Sequence, residues 1–150
     1  MKYFDAHCHI QFDQFERDQS DLIERMRADE VAGIGVGVDY PSSQKAVALA
    51  EVHDNLDASI GLHPNLEGKE WFEAEKYRAL AASPKVVAIG ECGLDYYRPE
   101  KLDEKVKRGQ RMILGDQLAL AAELDKPLII HARPTKGTQD AYQDLIGILT

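Results

Sequence analysis

The chain has 150 residues, 44% of them hydrophobic and 29% charged, with a formal net charge of −8. That length supports one packed core over residues 1–150 and no second domain, and the acidic balance disfavours sequence-independent binding to a nucleic-acid backbone through a basic face. There is no signal-peptide-like apolar region at the start and no run near the ~18 apolar residues of a membrane span; with Cys8 and Cys92 read as free thiols, a soluble, cytoplasmic protein without membrane contact is expected.

Five short β-branched runs, at residues 3–8, 34–38, 58–62, 86–90 and 128–131, begin about 30 residues apart. Between and after them, helical periodicity predicts helices at 15–28, 42–53, 71–82, 102–124 and 138–149. In the fourth helix Val106, Ile113, Leu114, Leu118 and Ala121 fall on one side at a spacing near 3.6, as expected of a helix lying on a sheet. Pro127 follows Asp125-Lys126 and stops that helix before the fifth strand. Strict β-α alternation with continuous apolar strands predicts an α/β fold with a parallel sheet covered by helices, either an open doubly wound sheet or part of a (β/α) barrel. Both place ligands at the carboxyl ends of the strands.

The first run, "FDAHCHI", sets Asp5, His7 and His9 on one face by alternation. His7 and His9 can then reach one ion together, although two surface imidazoles with ordinary hydrogen bonds would give the same pattern. The fourth run, "VVAIGECGLDYY", ends in Glu91 on the parity of Val87 and Ile89, and a carboxylate there needs a positive partner to be buried. A salt bridge to Arg133 or Lys126 is the structural alternative to a metal. The fifth run, "PLIIHAR", ends in His131, either a satisfied core imidazole or a further ligand.

Taken jointly, strands one, four and five all finish in a His or Glu, so His7, His9, Glu91 and His131 converge on one pocket. Imidazoles with a bridging carboxylate suit Zn²⁺ or Mn²⁺, and a paired-ion site also accepts Mg²⁺. Two ions ~3.5–4 Å apart activate a water and clamp both reacting oxygens of a phosphodiester, which makes this a hydrolase site. His63 in "IGLHPN" is either a turn histidine or a donor to a substrate phosphate. Tyr96 and Tyr97 read as a base-stacking wall or as local packing, and His53 as a helix-terminal residue without a catalytic role. "GIGVGVD" lies within a strand and not at a helix-opening turn, so it is not a dinucleotide fingerprint.

In order and spacing, "FDAHCHI", "IGLHP", "AIGECGLDYY", "QLALAAELDKPLIIHAR" and the "DAY" of residues 140–142 resemble the motifs of the TatD family of metal-dependent deoxyribonucleases. The resemblance implies the first five of the eight βα units of an amidohydrolase-like TIM barrel. It also implies that His7 and His9 bind one divalent ion, Glu91 bridges two and acts catalytically, His131 binds the second, and His63 and Arg133 line the substrate pocket. The reaction it implies is hydrolysis of phosphodiester bonds in DNA, or of a small phosphoester, by a metal-activated water. The family's further histidine from strand six and aspartate from strand eight have no counterpart within residues 1–150, so impaired activity is expected of this chain. Five strands of a barrel leave two edges open, and self-association through them, or a non-catalytic assembly role, is the alternative expectation. A different amidohydrolase activity on a cyclic amide or lactone is the third.

Overall fold

A computed structural model describes residues 1–66, 70–100 and 102–150. Five strands, β1 (Tyr3–Cys8), β2 (Val31–Val36), β3 (Leu56–Ile60), β4 (Val86–Asp95) and β5 (Leu128–Arg133), form one parallel sheet in the order β1-β2-β3-β4-β5. The order never reverses. With right-handed crossovers throughout, every helix then packs on the same face, as in a barrel wall, and there is no switch point of the doubly wound kind. The α/β fold is thus a curled half-barrel of five βα units. β1 and β5 each have a single strand partner among the described residues.

Five helices follow the strands: α1 (Gln19–Ala28), α2 (Tyr40–Val52), α3 (Ala74–Leu80), α4 (Glu104–Glu123) and α5 (Asp140–Leu149). Local chemistry sets their starts. At α2 the Asp39 carboxylate accepts from Ser42 N at 2.7 Å while Ser42 Oγ accepts from Asp39 N at 3.0 Å, a reciprocal cap with Pro41 just inside. At α4 Asp103 accepts from the backbone N–H groups of Lys105 and Val106, each at 3.0 Å. His53 caps the end of α2, as its position in the sequence suggests.

The latest starts relative to the periodicity are those of α1 and α3. Residues 13–15 form a separate 3-10 turn whose approach is held by Phe12 stacking on His9, 4.6 Å between ring centres, so α1 begins only at Gln19. Phe72 stacks on Tyr77 at 4.4 Å and leaves Trp71 exposed, so α3 begins at Ala74.

The main core lies between sheet and helices, with Ile60, Ala58, Leu56 and Ile89 from the strands meeting Val47, Tyr77, Leu120 and Ala121 from the helices. A second cluster of Cys92, Leu94, Tyr96 and Leu114 packs under Ala141 and Leu145 of α5. Both cysteines are free. On α4, Ile113, Leu114 and Ala121 are buried as expected, Val106 and Leu118 are half-buried, and Gln110 and Gln117 are fully buried in the middle of the same stripe.

The largest departure from simple alternation is in the ladders. From Asp5 to Cys8 in β1 and from Ile89 to Cys92 in β4, three steps on one strand oppose two on its neighbour. These are bulges, which re-aim side chains. They explain why Glu91 does not share the environment of Ile89, as parity predicts: Ile89 enters the helix-side core, whereas Glu91 turns to the mouth of the sheet.

Candidate metal centre

His7 and Glu91 each lie inside one of the two bulges, and these bring their side chains together. Glu91 Oε2 is 3.5 Å from His7 Nε2, while Oε1 is 3.0 Å from His131 Nδ1 and 3.8 Å from His63 Nε2. The carboxylate therefore faces three imidazoles from three other strand ends. His9 stands beside His7, with ring centres 5.1 Å apart. The group lines an open recess of about 370 Å³, bordered also by Phe12, Asn65 and Arg98. Glu91, His63 and His131 are nearly buried and His7 is exposed.

The hydrogen bonds around the rings leave donor atoms pointing inward. His9 Nδ1 is 2.8 Å from the Val36 carbonyl, so that nitrogen carries the proton and Nε2 keeps its lone pair. His63 Nδ1 is held by Asn65, 2.6 Å from its Oδ1 and 3.2 Å from the backbone N–H that donates to it, which leaves Nε2 turned toward Glu91. His131 is held between two carboxylates, with Nε2 3.1 Å from Asp95 Oδ2 and Nδ1 3.0 Å from Glu91 Oε1. Both contacts are hydrogen bonds only while each ring nitrogen carries a proton, and a cation taken up between His131 and Glu91 would displace the one on Nδ1.

Charge states agree with this. Burial, followed by the neighbouring His131, lowers the His63 pKa and keeps its imidazole in the neutral, ligating form. Burial pushes the Glu91 carboxyl up, but the His131 hydrogen bond and the electrostatic pull of the surrounding imidazoles outweigh it and bring its pKa below the ordinary value. Asp95 is opposed by burial too, yet the backbone N–H groups of Arg98 and Tyr97 and the charges of His131 and Arg98 bring it below its ordinary value. Two overlapping sets of donor atoms, His7-His9-Glu91 and His63-Glu91-His131, each lie within 4.8 Å of one another and share Glu91. Imidazole nitrogens plus a shared carboxylate are the donor chemistry of Zn²⁺ and Mn²⁺, so the residues present fit the divalent ions expected from the sequence.

Four of the anticipated residues, His7, His9, Glu91 and His131, thus meet, and His63 joins them closely enough to belong to a donor set. Arg133 does not. Its guanidinium sits 4.0 Å above the Tyr97 ring, outside the lining of the recess, and Arg98 occupies the recess edge in its place. The salt-bridge alternatives for Glu91 also fail, since Lys126 Nζ donates to the Val86 carbonyl at 2.6 Å. Tyr96 is buried and donates to Asp144 at 2.7 Å, so only Tyr97, half exposed, is available to a stacking ligand.

Asp95 was missed because the fourth strand was expected to stop at residue 90. The apolar alternation Cys92, Leu94, Tyr96 is the signal that carries β4 onward and places Asp95 on the opposite face, with His131.

Comparison with known proteins bears on the same residues. Residues 4–150 match the family described as TatD related DNase. The chain is 38% identical over 149 residues to the metal-dependent hydrolase YabD of Bacillus subtilis (strain 168), covering 97% of this chain and 54% of that protein. It is 36% identical to the 3'-5' ssDNA/RNA exonuclease TatD of Klebsiella pneumoniae (strain 342), covering 97% and 52%. The crystal structure of YJJV, a TatD homolog from Escherichia coli k12, superposes with a TM-score of 0.79 at 30% identity, over 97% of this chain and 56% of that one. The chain spans about half the length of these relatives.

Proposed function

The chain belongs to the family of TatD-related DNases, and from that premise we propose that it carries the divalent-metal half-site of a nuclease that hydrolyses phosphodiester bonds in DNA. The observation that carries this reading is the Glu91 carboxylate set among the imidazoles of His7, His63 and His131 at 3.0–3.8 Å. His7 and His9 with Glu91 would hold one ion, and Glu91 with His131 the other. Such ions, when bound, supply a water of lowered pKa and Lewis-acid stabilisation of the phosphoryl oxygens.

The protein's own groups prepare that site. The Val36 carbonyl fixes the His9 tautomer, and Asp95 does the same for His131, the arrangement that orients ligating imidazoles elsewhere. Glu91 is kept anionic. His63, neutral and lodged over the His131 ring at 4.2 Å between centres, is placed to meet a substrate phosphate oxygen or to complete the second donor set. Arg98 extends from Asp95 to the rim, where its guanidinium offers an anion contact. Tyr97, backed by Arg133, presents a stacking surface beside it. With a net charge of −8, affinity for a polyanion would come from this recess and its ions, not from a basic face.

Calorimetric titration with Mn²⁺ tests the reading: saturable binding is expected in the wild type, and its loss in His7→Ala/His9→Ala. Unchanged stoichiometry in that variant would remove the basis of the site. Turnover of a chromogenic phosphodiester by these 150 residues is expected to be slow, because the sixth- and eighth-strand donors implied by the resemblance are not among them. A small phosphoester and single-stranded RNA are the comparison substrates, since relatives carry the name of an ssDNA/RNA exonuclease.

A further inference from the structure

Gln110 and Gln117 are 1% and 0% exposed, on the buried stripe of an otherwise amphipathic helix. Burying a primary amide is costly unless its hydrogen bonds are made, and both are made in the same way. Gln117 Oε1 accepts from Leu62 N at 2.8 Å while its Nε2 donates to Leu62 O at 3.0 Å. Gln110 Oε1 accepts from Asp95 N at 2.9 Å while its Nε2 donates to Asp95 O at 2.9 Å. Each amide thus closes a two-bond ring with one backbone residue, as a neighbouring strand would.

The places are not arbitrary. β3 ends at Ile60, which pairs with Ile89, so Leu62 lies past the ladder and β4 beyond Ile89 has no β3 partner on that side. Seven residues apart, the two glutamines share a helix face and are separated by ~10.5 Å along the axis, which lets one helix serve two strand ends. Leu62 immediately precedes His63, and Asp95 carries the carboxylate on His131 Nε2.

We infer that Gln110 and Gln117 are positioning residues that act as surrogate strand partners for the ends of β4 and β3, fixing the Asp95–His131 pair and the His63 imidazole respectively. The geometric part stands on these bonds alone; its consequence for metal and substrate rests on the proposed nuclease reading. Neither residue touches a reacting group. Their effect is on where the imidazoles sit.

The test is Gln110→Met and Gln117→Met in the 150-residue chain with ¹⁵N-labelled histidine, read first without metal. Gln110→Met is expected to move the His131 ring signals and Gln117→Met those of His63, with His7 and His9 unmoved in both. Mn²⁺ affinity is expected to fall about tenfold in Gln110→Met, the low end for loss of outer ligand support. Leu120→Ala, a core truncation on the same helix, should lower the urea midpoint while leaving ring signals and Mn²⁺ affinity as in the wild type. Should either Met variant fail to fold, the corresponding Gln→Glu variant, which keeps the acceptor for the N–H and loses the donor to the carbonyl, is expected to move the same ring. Ring signals unmoved in the folded variants, or moved equally by Leu120→Ala, would overturn the inference. Absence of Mn²⁺ binding in the wild type would instead overturn the nuclease reading and leave the ring shifts to decide the positioning role.

Discussion

Gly93→Ala isolates the dependence of the site on the β4–β5 ladder. Gly93 has φ of 146° and pairs with His131. A Cβ there would lie 1.9 Å from the His131 carbonyl oxygen and 2.9 Å from its carbon, whereas real Cβ contacts stop near 3.0 Å. β5 must therefore retreat by about 1.1 Å at His131, the difference between those two oxygen distances. That shift stretches the 3.0 Å contact of His131 with Glu91 and the 3.1 Å contact with Asp95 past useful hydrogen-bond length.

Two charge-assisted bonds contribute roughly 1.5–3 kcal/mol each, taken at the low end because the recess is open to solvent, and the positive φ adds about 1–2 kcal/mol. A loss of about 4 kcal/mol follows, which for a domain of this size lowers Tm by roughly 10–15 °C. Thermal and urea unfolding by circular dichroism measure the first effect, and calorimetry with Mn²⁺ measures a parallel loss of affinity at a temperature where the variant is folded. A Tm within about 3 °C of the wild type, with Mn²⁺ affinity intact, would refute the claim that strand spacing at this residue sets the site.

Asp140, in the first turn of α5, accepts from Thr135 N at 3.0 Å, Thr135 Oγ1 at 2.8 Å, Thr138 Oγ1 at 2.8 Å and Ala141 N at 2.9 Å. Burial opposes its ionisation, but these bonds prevail and hold its pKa well below the ordinary value. The carboxylate therefore adds stability that is complete above the unfolded value near pH 4 and is lost as pH falls toward the lower folded one. Asp140→Asn is expected to reduce stability by about 1 kcal/mol at pH 7, in urea unfolding, with the gap to wild type narrowing progressively as pH falls below about 4; a gap no smaller at pH 2.5 than at pH 7 would contradict this. The outer strands β1 and β5, with Tyr3, Phe4 and Ile130 exposed, are expected to pair between copies, and sedimentation equilibrium showing only monomer at high concentration would count against that.

What could be read from the sequence follows the range of the interaction responsible. The five-unit alternation was legible because hydrophobic periodicity is local, and so were His7, His9, Glu91 and His131, since each ends an apolar run that must finish at one rim of a parallel sheet. Helix starts were less legible. The entry to α1 is decided by Phe12 on His9, and the entry to α3 by Phe72 on Tyr77, contacts between rings that periodicity does not weigh.

The bulges were not legible at all, because register belongs to a pair of strands and neither strand encodes it alone. This matters most for Glu91. Had the β4–β5 ladder run without its extra residue, Glu91 would continue the parity of Ile89 into the helix-side core, where Leu120 and Ala121 offer it nothing. The extra residue sends Glu91 to the mouth of the sheet, and Gly93 then restores close pairing opposite His131. Beyond the point where β3 ends, Glu91 N donates to the Gly37 carbonyl and an amide from α4 holds β4 at Asp95. The candidate metal centre therefore depends on irregularities in the sheet and on two glutamines that a hydropathy pattern counts as errors in an amphipathic stripe. A buried glutamine on a helix that packs against strand ends marks a backbone segment without a strand partner.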